Sequence, residues 1–216
     1  MIHHSLELKR LKPKSFDKLL SLGYRHFGDY FFCYSHVLHD GVKATVLPLR
    51  IDLSKFKYSK SQKKIIKKNS QSKVELTPVT LSEEVLSLFE EHKFKFSSNI
   101  PPDIHAFLGE DLNMYPCELL QVNAYWDSIL YSVSFLDIGK ESTSSVYGMF
   151  AFEYGFLSPG IYTMLLEIEY SIKENKKYYY PGYCYDISSY YDYKKKFSGL
   201  EYYDWEGNWY PYNGTD

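Results

Sequence analysis

At 216 residues, 44% hydrophobic and 19% aromatic, the chain can hold one sizeable domain or two small ones around a genuine core. It has no run near the roughly 20 apolar residues that cross a bilayer and no signal-peptide-like apolar stretch near its start; its three cysteines (Cys33, Cys117, Cys184) make neither a disulfide framework nor a C-x-x-C pair, so it reads as cytoplasmic. The net charge of −2 hides a polarised chain: residues 1–73 carry 16 Lys and Arg against 5 Asp and Glu, and the rest carry 9 against 22.

That polarity points the basic part at a polyanion, without choosing among nucleic acid, acidic protein and membrane surface. In chain order, residues 16–22 space their apolar positions as a short helix, opened by Pro13 and Ser15 and stopped at Gly23. A turn over 24–29 leads to an aromatic strand at 30–34. After a loop around His39-Asp40-Gly41 a second strand follows at 44–53, and the two read as a hairpin. Ser59, with Gln62 three residues on, forms a capping box for the next helix. On it Lys60, Lys63, Lys64, Lys67 and Lys68 make one continuous stripe, while Ile65 and Ile66 face elsewhere and can pack. Lysines usually line a solvated face. A solvated face normally mixes signs, however, and no acid lies between Lys55 and Lys73, which favours an anion-binding stripe.

Residues 71–80 are polar and strand-like, and 81–89 form a helix with Glu83, Glu84, Glu90 and Glu91 on its wet side. Residues 94–109 are loop-rich and line an entrance in this reading. Residues 119–125 and 129–137 are neighbouring strands turning at Trp126-Asp127, and 145–152 is a third. Ser158 can cap a helix whose first turn takes Pro159, and Gly160 leaves room for close approach. Ile161, Leu165, Ile168 and Ile172 give it an apolar face, and Asn175 with two lysines closes it. Tyr178 to Tyr180 is a short strand ended by Pro181-Gly182, and the unit finishes on Asp192 to Phe197. The aromatic tail reads as edge packing plus a frayed end. A basic front module, 1–75, packed against a mixed α/β domain, 76–216, is the expected organisation.

The motifs S-P-G-I-Y, L-x-E-I-E, K-x-Y-Y-x-G-Y and D-Y-K-x-K-F, in that order, resemble the C-terminal half of the arginyl-tRNA–protein transferases and their bacterial leucyl-transferring relatives. G-Y-R-x-F-G, P-L-R-I and S-K-S-Q-K-K-x-x-K-K-N extend the resemblance forward, to roughly three quarters of the chain. It implies an α/β (α+β), GNAT-like acyltransferase fold with aminoacyl-tRNA in place of acyl-CoA as donor. It also implies transfer of an amino acid, arginine or leucine, to the free N-terminus of a protein or peptide whose first residue is acidic. Such aminolysis of an activated ester by an amine of free pKa about 7.7–8.0 needs no enzyme nucleophile; positioning and oxyanion stabilisation can supply most of the rate. No cofactor, membrane or acyl-CoA partner is implied.

On the matched motifs, the catalytic candidates are Asp137, Tyr147, Glu153, Ser158, Tyr183, Tyr193 and Lys194. Asp137 would orient the amine or cap a turn, and Glu153, in a turn shifted from the family pattern, is equally a surface carboxylate. Tyr183, Tyr193 and Lys194 would meet the 3′ adenosine and the ester. Arg25, Arg50 and Lys196 would bind an acceptor carboxylate, the guanidinium forks suiting it best, and Gly160 would admit the donor. Lys60, Ser61, Gln62, Lys63, Lys64, Lys67 and Lys68 would hold tRNA. Many relatives carry a cysteine cluster before the P-x-R-I strand; here Cys33, His36 and His39, with His26, are the available donors, too few and too unpaired for a clear zinc site. Two other readings stand: a non-catalytic module of the same fold that binds tRNA or an N-terminus, and an acyl-CoA acetyltransferase, which the missing R-x-x-G-x-G/A loop opposes.

Overall fold

The computed structural model describes residues 1–95 and 100–213. In chain order the elements are β1 (His3–Glu7), α1 (Pro13–Ser21), β2 (Arg25–Phe27), β3 (Tyr30–Tyr34), β4 (His36–His39) and β5 (Val42–Asp52). Then come α2 (Lys60–Lys68), β6 (Lys73–Pro78), α3 (Glu83–His92), α4 (His105–Leu108), β7 (Glu118–Trp126), β8 (Ile129–Ile138) and β9 (Ser142–Phe150). The chain closes with α5 (Pro159–Lys173), β10 (Tyr178–Tyr185), β11 (Leu200–Tyr203) and β12 (Trp209–Pro211). The entrance expected at 94–109 lies partly, at 96–99, outside the described residues.

Most strands join one sheet in the order β12-β11-β5-β10-β9-β8-β7-β6, with β4 also paired to β5. Its β9–β10 pair is parallel while its other pairs are antiparallel, and α5 is the crossover such a pair requires. Successive strand residues point to opposite faces. Leu136 and Ile138 of β8 therefore pack with Leu165 and Ile168 of α5, while Val133 and Phe135 pack with Val85, Leu88 and Phe89 of α3. A small sheet, β1-β3-β2, and α1 cover Tyr180 on the α3 side through Phe16, Leu20 and Phe31. The expected mixed α/β fold is the observed one.

Several local expectations change. Strand 30–34 belongs to the small sheet, so the hairpin partner of β5 is β4, registered His36 to Thr45. β5, from the basic front of the chain, lies inside the large sheet between β10 and β11, so one sheet runs across the expected boundary at residue 75. The strand at Tyr178 continues through Pro181-Gly182 to Tyr185; proline, lacking an N–H, is accommodated where the register against β5 shifts between Tyr179 and Gly182. Ile172 is 44% exposed. The buried face of α5 instead includes Thr163, Glu167 and Ser171. Ser158 does not cap α5 with its side chain: its backbone is left-handed (φ 57°), and its carbonyl accepts from the Ile161 and Tyr162 amides. The capping box at α2 forms as expected, Ser59 N–H to Gln62 Oε1 at 2.9 Å and Gln62 N–H to Ser59 Oγ at 3.2 Å.

Candidate active site

β9 and β10 pair at Ser142–Tyr178, Thr143–Tyr179 and Ser144–Tyr180 and then part. Parting frees backbone carbonyls, and two cations take them. Arg25, at the start of β2, donates to Ser144 Oγ at 2.5 Å and to the Ser145 carbonyl. Lys194, in the 3-10 turn Asp192–Lys196, donates to the Tyr183 carbonyl at 3.2 Å. Both flank the bulge: a Cβ placed on Gly182 (φ +101°) would stand 3.1 Å from Lys194 Nζ and 3.7 Å from Arg25 Nε and Cζ. Among the described residues neither cation forms an ion pair. Burial first, and the Arg25 guanidinium second, lower the Lys194 ammonium from 10.5 to about 7. Opposite them, on α5, Glu167 is fully buried. Its Oε2 accepts from the Tyr179 hydroxyl at 2.5 Å, while its Oε1 and the Ser134 hydroxyl have no hydrogen-bond partner among the described residues. Burial raises this carboxyl from 4.5 to about 7, against the Tyr179 hydrogen bond, the neighbouring Ser134 and Ser145 hydroxyls and the attraction of Arg25.

Two groups tuned to near neutrality beside a fixed guanidinium can hold and release a proton and stabilise an oxyanion. α2 runs beside α5, with Tyr58 O–H bonded to Glu169 at 2.6 Å and, at the far end, Lys68 Nζ to the Phe156 carbonyl at 2.7 Å. Asn69 Nδ2 reaches the Leu157 carbonyl at 2.9 Å, while its Oδ1 accepts from Tyr131 at 2.7 Å. The lysine stripe thus ends at the turn that leads into Ser158 and Gly160. Its five lysines are exposed, and among the described residues none pairs with a carboxylate.

The sequence profile described as "Arginine-tRNA-protein transferase, C terminus" matches residues 58–204. The chain belongs to this family. It is similar to the aspartate/glutamate leucyltransferase of Campylobacter jejuni, 28% identical over 172 residues covering 77% of this chain and 70% of that one. The Helicobacter hepaticus protein of the same name is 23% identical over 210 residues, covering 93% of this chain and 83% of its own length. Among solved structures, FemX superposes with a TM-score of 0.51 at 10% identity, over 86% of this chain and 66% of that one, which shows a shared fold. No described helix is long and apolar enough to cross a membrane.

Of the residues that the transferase motifs single out, the structure brings Arg25, Lys194 and Tyr193 together. Burial, then the Glu167 charge, pushes the Tyr193 phenol up to about 12, and its ring lies 5.9 Å from Lys194 Nζ. Gly160 is open, an added Cβ meeting the Phe150 ring at an ordinary 3.6 Å. Other candidates are occupied elsewhere. Asp137 is sealed in a network: Oδ2 faces His26 Nε2 at 2.9 Å, and Oδ1 accepts from Tyr115 at 2.8 Å and Cys117 at 3.5 Å. His26 Nδ1 must donate to the Gly28 carbonyl at 2.7 Å, so the His26–Asp137 contact also holds a proton. Tyr147 stacks on Phe107 at 4.0 Å in the core beneath α3, its hydroxyl without a partner among the described residues. Tyr183 spends its hydroxyl on the Gly23 carbonyl at 2.6 Å, and burial raises its pKa. Glu153 and Lys196 are exposed.

Arg50 is neutralised by Glu201, Nη2 to Oε2 at 2.7 Å, and lies between Tyr178 and Trp209 at 4.0 and 4.3 Å from their ring centres. Gln62 is buried as the cap of α2, and Ser61 shares a 2.9 Å hydrogen bond with Ser59. His26, Cys117 and Asp137 form a three-donor group compatible with a metal, whereas the Cys33 thiol is buried, and that burial pushes it up. Sequence reasoning passed over Glu167, which stands in the L-x-E-I-E motif. The signal available was Thr163, Glu167 and Ser171 at four-residue spacing, a polar stripe adjoining the apolar one.

Proposed function

We propose that the chain transfers an amino acid, leucine first and arginine second, from aminoacyl-tRNA to the N-terminal amine of a cytoplasmic protein or peptide beginning with Asp or Glu. The observation that carries this is the meeting of Arg25 and Lys194 at Gly182, two cations without a carboxylate partner among the described residues, where β9 and β10 part. In this reading the amine nitrogen attacks the ester carbonyl, a C–N bond forms, and the bond to the ribose oxygen breaks. Neutral Lys194 takes the proton the amine sheds and returns it to the leaving ribose oxygen. Arg25 faces the oxyanion, and the same pair of cations suits the acceptor's side-chain carboxylate. Glu167 stays behind the sheet as a neutral carboxyl near physiological pH. The lysines of α2 hold the tRNA phosphates.

The test is a matrix of labelled Leu- and Arg-tRNA against peptides starting with Asp, Glu, Ala and Lys. Label should enter the Asp and Glu peptides, from Leu-tRNA most strongly. Absence of transfer with every pairing removes the catalytic reading and leaves a binding module.

A further inference from the structure

Exposed aromatic carbon collects beside the lysine helix. Phe156 is 55% exposed; its ring stacks near Tyr154 (centres 6.3 Å, 30°) and meets Trp126 edge-on at 6.4 Å. Trp126 and Tyr154 in turn pack with Ile65 of α2 against buried Leu157 and Tyr131. Because Lys68 donates to the Phe156 carbonyl and Asn69 to that of Leu157, the ring and the end of α2 are held together. A large ring supported from behind but left open to water is an uncovered contact face. Five lysines with no carboxylate partner among the described residues stand next to it.

We propose that Phe156, backed by Trp126 and Tyr154, and the Lys64, Lys67 and Lys68 end of α2 form a ledge for the unpaired 3′ nucleotides of the RNA donor. It rests on the transferase reading and adds a path to it: from the α2 lysines across Phe156 to the start of α5. Unpaired RNA uses both features at once, since bases stack on aromatic faces while phosphates meet clustered cations. An apolar protein partner would leave the lysines unmatched, and an acidic protein would have no use for the flat ring.

The probes are a fluorescent RNA hairpin with a four-nucleotide 3′ overhang ending in CCA and the same hairpin cut blunt, titrated against the full chain by anisotropy. The wild type should prefer the overhang. Phe156→Ala should weaken the overhanging hairpin by about tenfold, the loss of roughly one stacked base, and leave the blunt one unchanged. Replacing Lys67 and Lys68 by Gln should weaken both and lower the slope of log affinity against log salt by about 2. A melting curve on each sample confirms folding, which an exposed ring does not support. Unchanged overhang affinity in Phe156→Ala, an equal loss on both hairpins, or tighter binding of a polyglutamate peptide than of the overhanging RNA overturns the ledge. Transfer assays keep the two ideas apart. Transfer that persists without overhang preference removes the ledge alone, and overhang preference without transfer removes the catalytic reading alone.

Discussion

Replacing Glu167 by Gln tests the buried site at its least visible member. The amide oxygen still accepts the Tyr179 hydroxyl, and the amide N–H₂ supplies a donor where Oε1 now has no partner, beside an equally unpartnered Ser134. Burial raises this carboxyl from 4.5 to about 7, so the folded chain binds its proton more tightly than the unfolded chain does. The stabilisation is therefore full below about 4.5 and is lost as pH rises through about 7. At about 1.4 kcal/mol per pH unit over that interval, the wild type gives up about 3 kcal/mol by pH 8. Gln, being neutral throughout, gives up none of it. Urea unfolding at pH 5, 6.5 and 8 on both proteins reads this as a difference, in which every other titrating group cancels. The gap should widen in favour of the variant by about 2–3 kcal/mol between pH 5 and 8. Parallel profiles would refute the claim that this carboxyl is buried without a full set of partners.

Lys194→Met should cut transfer at pH 7.5 by roughly a hundredfold or more; undiminished turnover would exclude Lys194 as proton acceptor. Since this ammonium is lowered from 10.5 to about 7, its contribution to stability rises with pH across that interval and is lost as pH falls through about 7, and the Met variant should lack that rise in pH-dependent unfolding. Neutralising Lys60, Lys63, Lys64, Lys67 and Lys68 together should lower the salt slope of tRNA binding by about 4–5; an unchanged slope would place the RNA elsewhere. Arg50→Met should destabilise the chain by on the order of 2 kcal/mol, by leaving Glu201 with only Lys55 Nζ at 3.3 Å, without altering the preference for Asp-starting over Ala-starting peptides. A changed preference would return Arg50 to the acceptor pocket.

Local rules were readable wherever the residues that make a feature are close in sequence. The Ser59–Gln62 box, the lysine stripe, the β7–β8 hairpin and the start of α5 at Pro159 all follow from neighbours within a few positions. What escaped depends on distant partners. Asp137 carries a catalytic-looking motif position, yet its role is decided by His26, 111 residues away, together with Tyr115 and Cys117. Arg50 looks like a free guanidinium until Glu201, 151 residues on, closes over it. Glu167 was hidden for a different reason. A glutamate on a helix is read as wet, and the four-residue spacing of Thr163, Glu167 and Ser171 does not by itself say that this polar stripe faces the sheet.

The position of β5 sets the order in which the molecule can be completed. An early-made strand sits between two of the last, β10 and β11, with Leu200 registered against Ile51. On the ribosome both its edges facing those strands stay open until β10 and β11 have emerged, an interval of exposure to mispairing and chaperones. A nascent chain halted before residue 181 would already own its cationic helix, but neither Gly182 nor Lys194 would yet exist.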